Sequence, residues 1–524
     1  MRAALLLIAG AALLPAQMNL IEGAKIRPHV KFLSSDLLEG RGVGLRGGQL
    51  AAAYIASQFE AAGLKPGAAD GSYLQPVPLR SVEVAPSSQL SASAGGKPVT
   101  FRWLDDFVGT SHTQEPAAAI EAEAVFAGHG ITAPEFKWED YKGVDVRGKV
   151  VVLFTNEPQS DDPTFFKGKA LTYYGRWTYK FEEAARQGAV AALIIHTTPT
   201  ASYGWQVLRA NGRPQPQVRR APGQPALAFA GWITSEAGGR LLGLAGKSVD
   251  EMLKAADTPG FRAMPLGKVR IHGKFAFKLK DIETHNVVGM APGGDPQLKS
   301  EAVVFTAHWD HLGIGEAVRG DRIYNGAIDN ATGCAMLIEM ARAWASMEPK
   351  PLRSAYFVAV TAEESGLIGS RYFAEHPPLD AARIAANLNF DSFAPYGRVR
   401  DVVLTGADRT SFYPTVRNVV ERYQLTIKPD GHPESGGYYR SDHYSFARLG
   451  IPAFSVNMGS DYEGKPEGFA AEKNKEYASR YHQPSDEYSE EWDFSGMEQF
   501  ARFGFALGVE IANLERIPAR VDAK

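Results

Sequence analysis

From Asn286 onward, short apolar segments alternate with stretches of helical period, and acidic and imidazole residues stand where those segments stop. The segments are Asn286 to Met290, Ala302 to Ala307, Ser354 to Val360, Ala385 to Phe390 and Val402 to Thr405, with helices expected from about Gly333 to Met347 and near Phe412 to Tyr423. Runs of this length rich in Val, Phe and Ala, separated by helical patterns, predict an α/β fold: a mixed, largely parallel sheet sandwiched by helices. In such sheets ligands bind in the crevice outside the carboxyl ends of the strands. His308 and Asp310 follow one predicted strand, Glu363 and Glu364 a second and Asp391 a third, while Asp329 precedes a helix. All six can therefore point into one crevice, and His482, in Tyr481-His482-Gln483-Pro484-Ser485-Asp486, supplies a second imidazole.

Two imidazoles with several carboxylates suit zinc, or cobalt or manganese, and are too rich in nitrogen for calcium. A zinc pair is the natural occupant. Cys334 is the only cysteine, which excludes an intramolecular disulfide and a thiolate zinc cluster, and its place on an entering helix reads as a small core residue. No Gly-x-Ser-x-Gly nucleophile motif competes.

The remainder of the chain divides by texture. Residues 1–16 run Met1-Arg2, an apolar stretch from Ala3 to Leu14, then Pro15-Ala16, the order of a signal peptide, so a periplasmic or secreted protein is expected. Ile26 to Gly63 reads as largely helical, with Ala52, Ile55, Phe59 and Ala62 on one buried face. Gly42-Val43-Gly44-Leu45-Arg46-Gly47 fits the spacing of a dinucleotide fingerprint but follows no β-branched strand, so it reads as a loop entering a helix. Between Glu121 and Ala245 short apolar strands are divided by glycines, with no clustered ligand chemistry; the stretch holding Arg209, Arg213, Arg219 and Arg220 reads as a solvated loop. With 56 basic and 59 acidic residues and no long block of one sign, the composition asks for neither nucleic acid nor an anionic membrane. No other run is long and apolar enough to span a bilayer, so the protein is expected to leave the membrane after signal cleavage.

In their order, His308-Trp309-Asp310-His311, Asn325-Gly326-Ala327-Ile328-Asp329, Glu363-Glu364, Asp391 and His482 resemble the co-catalytic zinc peptidases. That family includes bacterial leucyl and other aminopeptidases, glutamate carboxypeptidases and the catalytically dead transferrin receptor. The resemblance extends over nearly all of Ile26 to Asn513. Within it, Phe126-Ala127-Gly128-His129-Gly130-Ile131 and the segment from Tyr141 to Val151 are similar to a protease-associated domain.

After the signal peptide read at 1–16, the resemblance implies a peptidase domain split into 17–120 and 246–524, and a β-rich protease-associated insertion at 121–245. It implies two zinc ions per chain, with Asp329 bridging them, His308 and Asp391 on one, and Glu364 and His482 on the other. Asp310 would accept a hydrogen bond from His308 and fix its tautomer. Glu363 would be the general base, and Tyr438, or its neighbour Tyr439, would steady an oxyanion. Ile328 stands where many relatives have an aspartate and Thr332 where a serine is usual; neither is a ligand. The implied function is aminopeptidase action on peptide substrates. Carboxypeptidase or dipeptidase action, with Arg440 or the Arg209 to Arg220 stretch clamping a carboxylate, is an alternative. Glutaminyl cyclase and a receptor-like binding protein are further ones.

Overall fold

Alternation within the strands decides how the sheet is buried. In Ala302–His308, Val303, Phe305 and Ala307 join one apolar cluster, while Thr306 and His308 lie on the opposite face; all seven residues are buried. In Ile384–Phe390, Leu388 and Phe390 join that cluster and Asn387 and Asn389 lie opposite. Strands buried on both faces are what helices above and below a parallel sheet require.

The computed structural model describes residues 17–96 and 98–521, and the leader expected at 1–16 lies outside the described residues. The chain forms two compact units. Among the described residues, one comprises 17–77, 283–431 and 440–521, and the other the described part of Pro78–Ile282 with His432–Tyr439.

The first unit has a sheet of β1 (Lys65–Pro66), the end of β2 (Met264–Ala291), β3 (Ala302–His308), β4 (Ser354–Val360), β5 (Ile384–Phe390), β6 (Asp401–Thr405), β7 (Thr426–Ile427) and β8 (Ala453–Met458). Their order across it is β1-β2-β4-β3-β5-β8-β6-β7. The four central strands are parallel, with His308 beside Val360, Thr306 beside Asn389 and Phe390 beside Val456, so their carboxyl ends are level. β2 is antiparallel to β4, and β6 to β8.

The helices of this unit are α1 (Gly23–Leu33), α2 (Arg46–Ala61), α3 (Thr332–Ala345), α4 (Ile368–Glu375), α5 (Tyr413–Arg422), α6 (His443–Ala447), α7 (Phe469–Arg480) and α8 (Ser495–Ala512). α3 and α8 pack on β3 and on each other, α1 packs on α3, and the short α6 packs on β5 and β8 beside α4. α3 has twelve buried residues of its fourteen, and Trp344 from it meets Phe305 edge-on at 5.4 Å, which makes it a core helix and not a surface amphipath. The fingerprint-like segment 42–47 is a loop running into α2, as its missing strand implied.

The second unit centres on parallel strands Val150–Phe154, Ala191–His196 and Phe229–Thr234, with Leu193 between Val152 and Gly231. Val152, Leu193 and Ile195 face one apolar cluster and Val151, Ala192 and Ile194 another. This unit contains 121–245 but runs further in both directions, because Gln89–Ser93 and the first part of β2 extend its sheet through the pairs Ala92–Ile271 and Ile271–Ala122. The Arg209 to Arg220 stretch is not a solvated loop throughout. Gln215–Val218 pairs antiparallel with Leu79 to Val82, an edge position that tolerates Pro216, and Arg209 and Arg219 are ion-paired to Asp105 and Asp281.

Candidate metal centre

Level strand ends bring the expected side chains of the first unit together. His308 is the last residue of β3 and Asp391 follows β5. Glu363 and Glu364 lie on a single turn after β4, entered through Ala362 in the left-handed region (φ 53°). That turn separates the neighbours: Glu363 Oε2 lies 4.0 Å from His308 Nε2, whereas Glu364 Oε2 lies 3.0 Å from His482 Nε2. Asp329 sits between, its Oδ1 3.1 Å from His308 Nε2 and its Oδ2 3.4 Å from His482 Nε2. Asp391 Oδ1 is 3.3 Å from His308 Nε2.

These distances test whether the residues fit metal. His308 Nδ1 lies 3.1 Å from the main-chain carbonyl of Asp310, which can only accept, so Nδ1 carries the proton of the neutral ring. Nε2 then faces two carboxylate oxygens that call for positive charge, supplied by a metal or by a second ring proton, which burial opposes and Asp391, Glu363 and Asp329 favour. Tetrahedral zinc with bonds of about 2.0–2.1 Å holds adjacent ligand atoms about 3.3–3.4 Å apart. The Nε2-to-carboxylate separations of 3.0–3.4 Å around both imidazoles match that spacing. Among the described residues, the groups able to hold a metal are His308 with Asp329 and Asp391, His308 with Glu363 and Glu364, and His311 with Asp329 and Glu364.

Burial sharpens the electrostatics. It raises the proton affinity of the Glu363 carboxyl well above the ordinary range, with His308 opposing and Asp391, Asp442 and Glu364 reinforcing. Burial acts the same way on Glu364, but His482 and His311 outweigh it and hold that carboxyl well below the usual range. For His482 burial disfavours the charged ring, yet Glu364 and Asp329 push its pKa up to about 9. Two neighbouring carboxyls thus stand side by side with opposite proton affinities.

Asp310 is fully buried, and its partner differs from the expectation. His308 Nδ1 is 3.9 Å from the Asp310 carboxylate and bonds its carbonyl instead, while the Asp310 side chain reaches the turn after β4. There Oδ1 accepts the Glu363 N–H at 3.1 Å. Tyr438 and Tyr439 are buried in His432–Tyr439, the segment that clusters with the second unit.

Several residues were not singled out from sequence. His311 is completely buried, with Nδ1 2.6 Å from Glu364 Oε1; it stood in the quoted motif, one residue beyond Asp310. The Asp486 carboxylate accepts the N–H groups of Ile328 and Asp329 at 3.1–3.2 Å and so shapes the turn that presents Asp329. Gly326 enters that turn at φ 59°, where an added Cβ would lie 2.3 Å from the Asp329 carbonyl. Asn330 ties the same turn to the end of β5, donating to Phe390 O at 3.0 Å and accepting from Ser392 N at 3.1 Å. Ser441 donates to Asp391 Oδ2 at 2.5 Å and accepts from Asn389, which links the polar face of the sheet to the site. Beneath it, the Cys334 thiol donates to the His308 carbonyl at 3.1 Å, and burial pushes its pKa up to about 12.

Residues 286–504 match Peptidase family M28. The chain is 26% identical over 283 residues to leupeptin-inactivating enzyme 1 of Streptomyces exfoliatus, a match covering 52% of this chain and 57% of that one. It thus spans little more than half the length of that relative. It is 23% identical over 394 residues to carboxypeptidase Q of Xenopus laevis, covering 74% and 69%. Among solved structures, the aminopeptidase from Aneurinibacillus sp. strain AM-1 superposes with a TM-score of 0.54 at 20% identity over 94% of each chain, which shows a shared fold.

Proposed function

We propose, from the match of residues 286–504 to Peptidase family M28, that the chain is a zinc exopeptidase that removes N-terminal residues from peptides. The observation that carries the reading is the pair of Nε2 atoms, each facing two carboxylate oxygens at 3.0–3.4 Å and sharing Asp329. His308, Asp329 and Asp391 would hold one zinc, and Asp329, Glu364 and His482 the other, with His311 steadying Glu364. Zinc in such a pair lowers the pKa of water toward neutrality and polarises a carbonyl.

The chain's own part is proton management. Glu363 accepts the proton of the attacking water at its raised carboxylate and returns it to the leaving amine. Asp310, through the Glu363 N–H, keeps that carboxylate at the strand end. Tyr438 is the candidate for steadying the oxyanion. Residues 121–245 are read as a protease-associated domain, and residues 1–16 as an export signal. Among the described residues, no helix is long and apolar enough to cross a membrane.

The name and coverage of the carboxypeptidase relative favour one second reading, release of C-terminal residues at the same site. A panel of aminoacyl reporters, N-acetylated peptides and C-terminally blocked peptides, assayed with and without chelator, decides. The aminopeptidase reading expects chelator-sensitive cleavage that N-acetylation abolishes and C-terminal blocking spares. Equal turnover of free and acetylated peptides overturns it, and chelator-insensitive cleavage overturns the metal.

A further inference from the structure

Arg41 is 1% exposed, and the described bonds of its guanidinium run to no carboxylate. It donates instead to four main-chain carbonyls: Nε to Trp309 at 2.7 Å, Nη1 to Leu33 and Asn325 at 2.6 Å each, and Nη2 to Gly326 at 2.8 Å. Trp309 lies between His308 and Asp310. Asn325 and Gly326 open the turn that presents Asp329, and Leu33 ends α1. One side chain therefore joins both metal-bearing turns to a helix terminus.

The local chain is built to deliver it. Glu39, Gly40 and Arg41 all have left-handed φ, at 48°, 66° and 50°. A Cβ on Gly40 would lie 2.4 Å from Tyr324 O, so the turn presses directly on the strand leading to Asn325. Asn325 in turn donates from Nδ2 to Ser34 O at 2.9 Å and Asp36 Oδ1 at 2.8 Å. A planar fork with five donors can make such bonds together, which a lysine ammonium cannot.

We propose that Arg41 is a positioning residue for the metal centre, setting the gap between His308 and Asp329 by fixing the carbonyls of Trp309, Asn325 and Gly326. The inference rests on the metal-binding reading of the site. It makes the segment Ser34 to Gly42, remote in sequence from every ligand, a determinant of metal retention.

The test uses the full chain with Arg41→Lys and Asn325→Ala. The second variant leaves Arg41 intact and frees the same turn from Ser34 and Asp36. Zinc affinity is measured by competition with a chromophoric chelator, and thermal melting is followed on metal-free protein. A supporting group behind metal ligands typically contributes 10–100-fold in affinity. Arg41→Lys should weaken zinc binding by about that factor, and Asn325→Ala in the same direction by less. Lowered melting with unchanged zinc affinity in Arg41→Lys would make Arg41 a general structural residue and overturn the proposal. Absence of zinc binding in the unsubstituted protein would instead overturn the metal reading itself.

Discussion

Both units place parallel strands side by side and bury them on two faces, yet their strand ends do different work. In the second unit, Thr234 ends a strand and its Oγ1 accepts from Ala237 N at 3.1 Å, while Thr197 follows a strand and accepts from Thr200 N at 3.2 Å. These hydroxyls cap helices. Glu157, just past Phe154, takes Thr172 N at 2.7 Å, and the buried Lys180, which donates to Asn156 O at 2.7 Å, supplies positive charge toward Glu157 and Asp140. Charge is balanced from within: burial raises Glu157 to about 7 and lowers Lys180 to about 7. In the first unit the same positions carry His308, Glu363 and Asp391, and carboxylates face imidazole nitrogens with no lysine among them. A strand end is a permissive place. What the chain puts there decides whether it closes a helix or asks for a cation.

The contrast is most exposed to failure at Glu363. Glu363→Gln should keep both zinc ions while turnover falls by about two to four orders of magnitude, the usual worth of a general base. Glu364→Gln, one residue on, should lose or weaken one zinc. Metal analysis beside a steady-state assay separates the two, and an exchange of phenotypes would reverse their roles. In the second unit, Lys180→Met removes the buried bond to Asn156 O and the positive charge near Glu157 and Asp140, and should cost about 1.5–3 kcal/mol in denaturant unfolding, with zinc content unchanged. Zinc loss in that variant would erase the distinction between the units. The smallest effect belongs to Thr234→Ala, which removes a cap and should cost about 1 kcal/mol with turnover intact.

Five strands of the first unit were legible as apolar runs, three of them followed by the acidic and imidazole residues that give their address. The central strand Ala453–Met458 and the short edge strands Lys65–Pro66 and Thr426–Ile427 were not singled out. α3 and α5 fall within a residue or two of their expected spans. Arg41, Asp486 and Ser441 were not legible. Each acts on main chain or side chains far away in sequence, and nothing local tells a buried arginine from a solvated one. The extent of the second unit was also hidden, since the flanking strands that widen it gain meaning only through pairing across more than a hundred residues. Asp310 shows a finer limit: its position was readable, but its carbonyl meets His308 and its carboxylate meets the Glu363 N–H, a division that local sequence does not encode.

Cys334 turns the interior of the first unit into a chemical clock. As the only thiol in the chain, buried beneath His308 and held protonated, it reacts with an alkylating reagent only when α3 lifts from the sheet. Its labelling rate therefore counts openings of the helix that begins three residues after Asp329. Comparing that rate with and without zinc reads, at a single sulfur, how firmly the metal latches the fold.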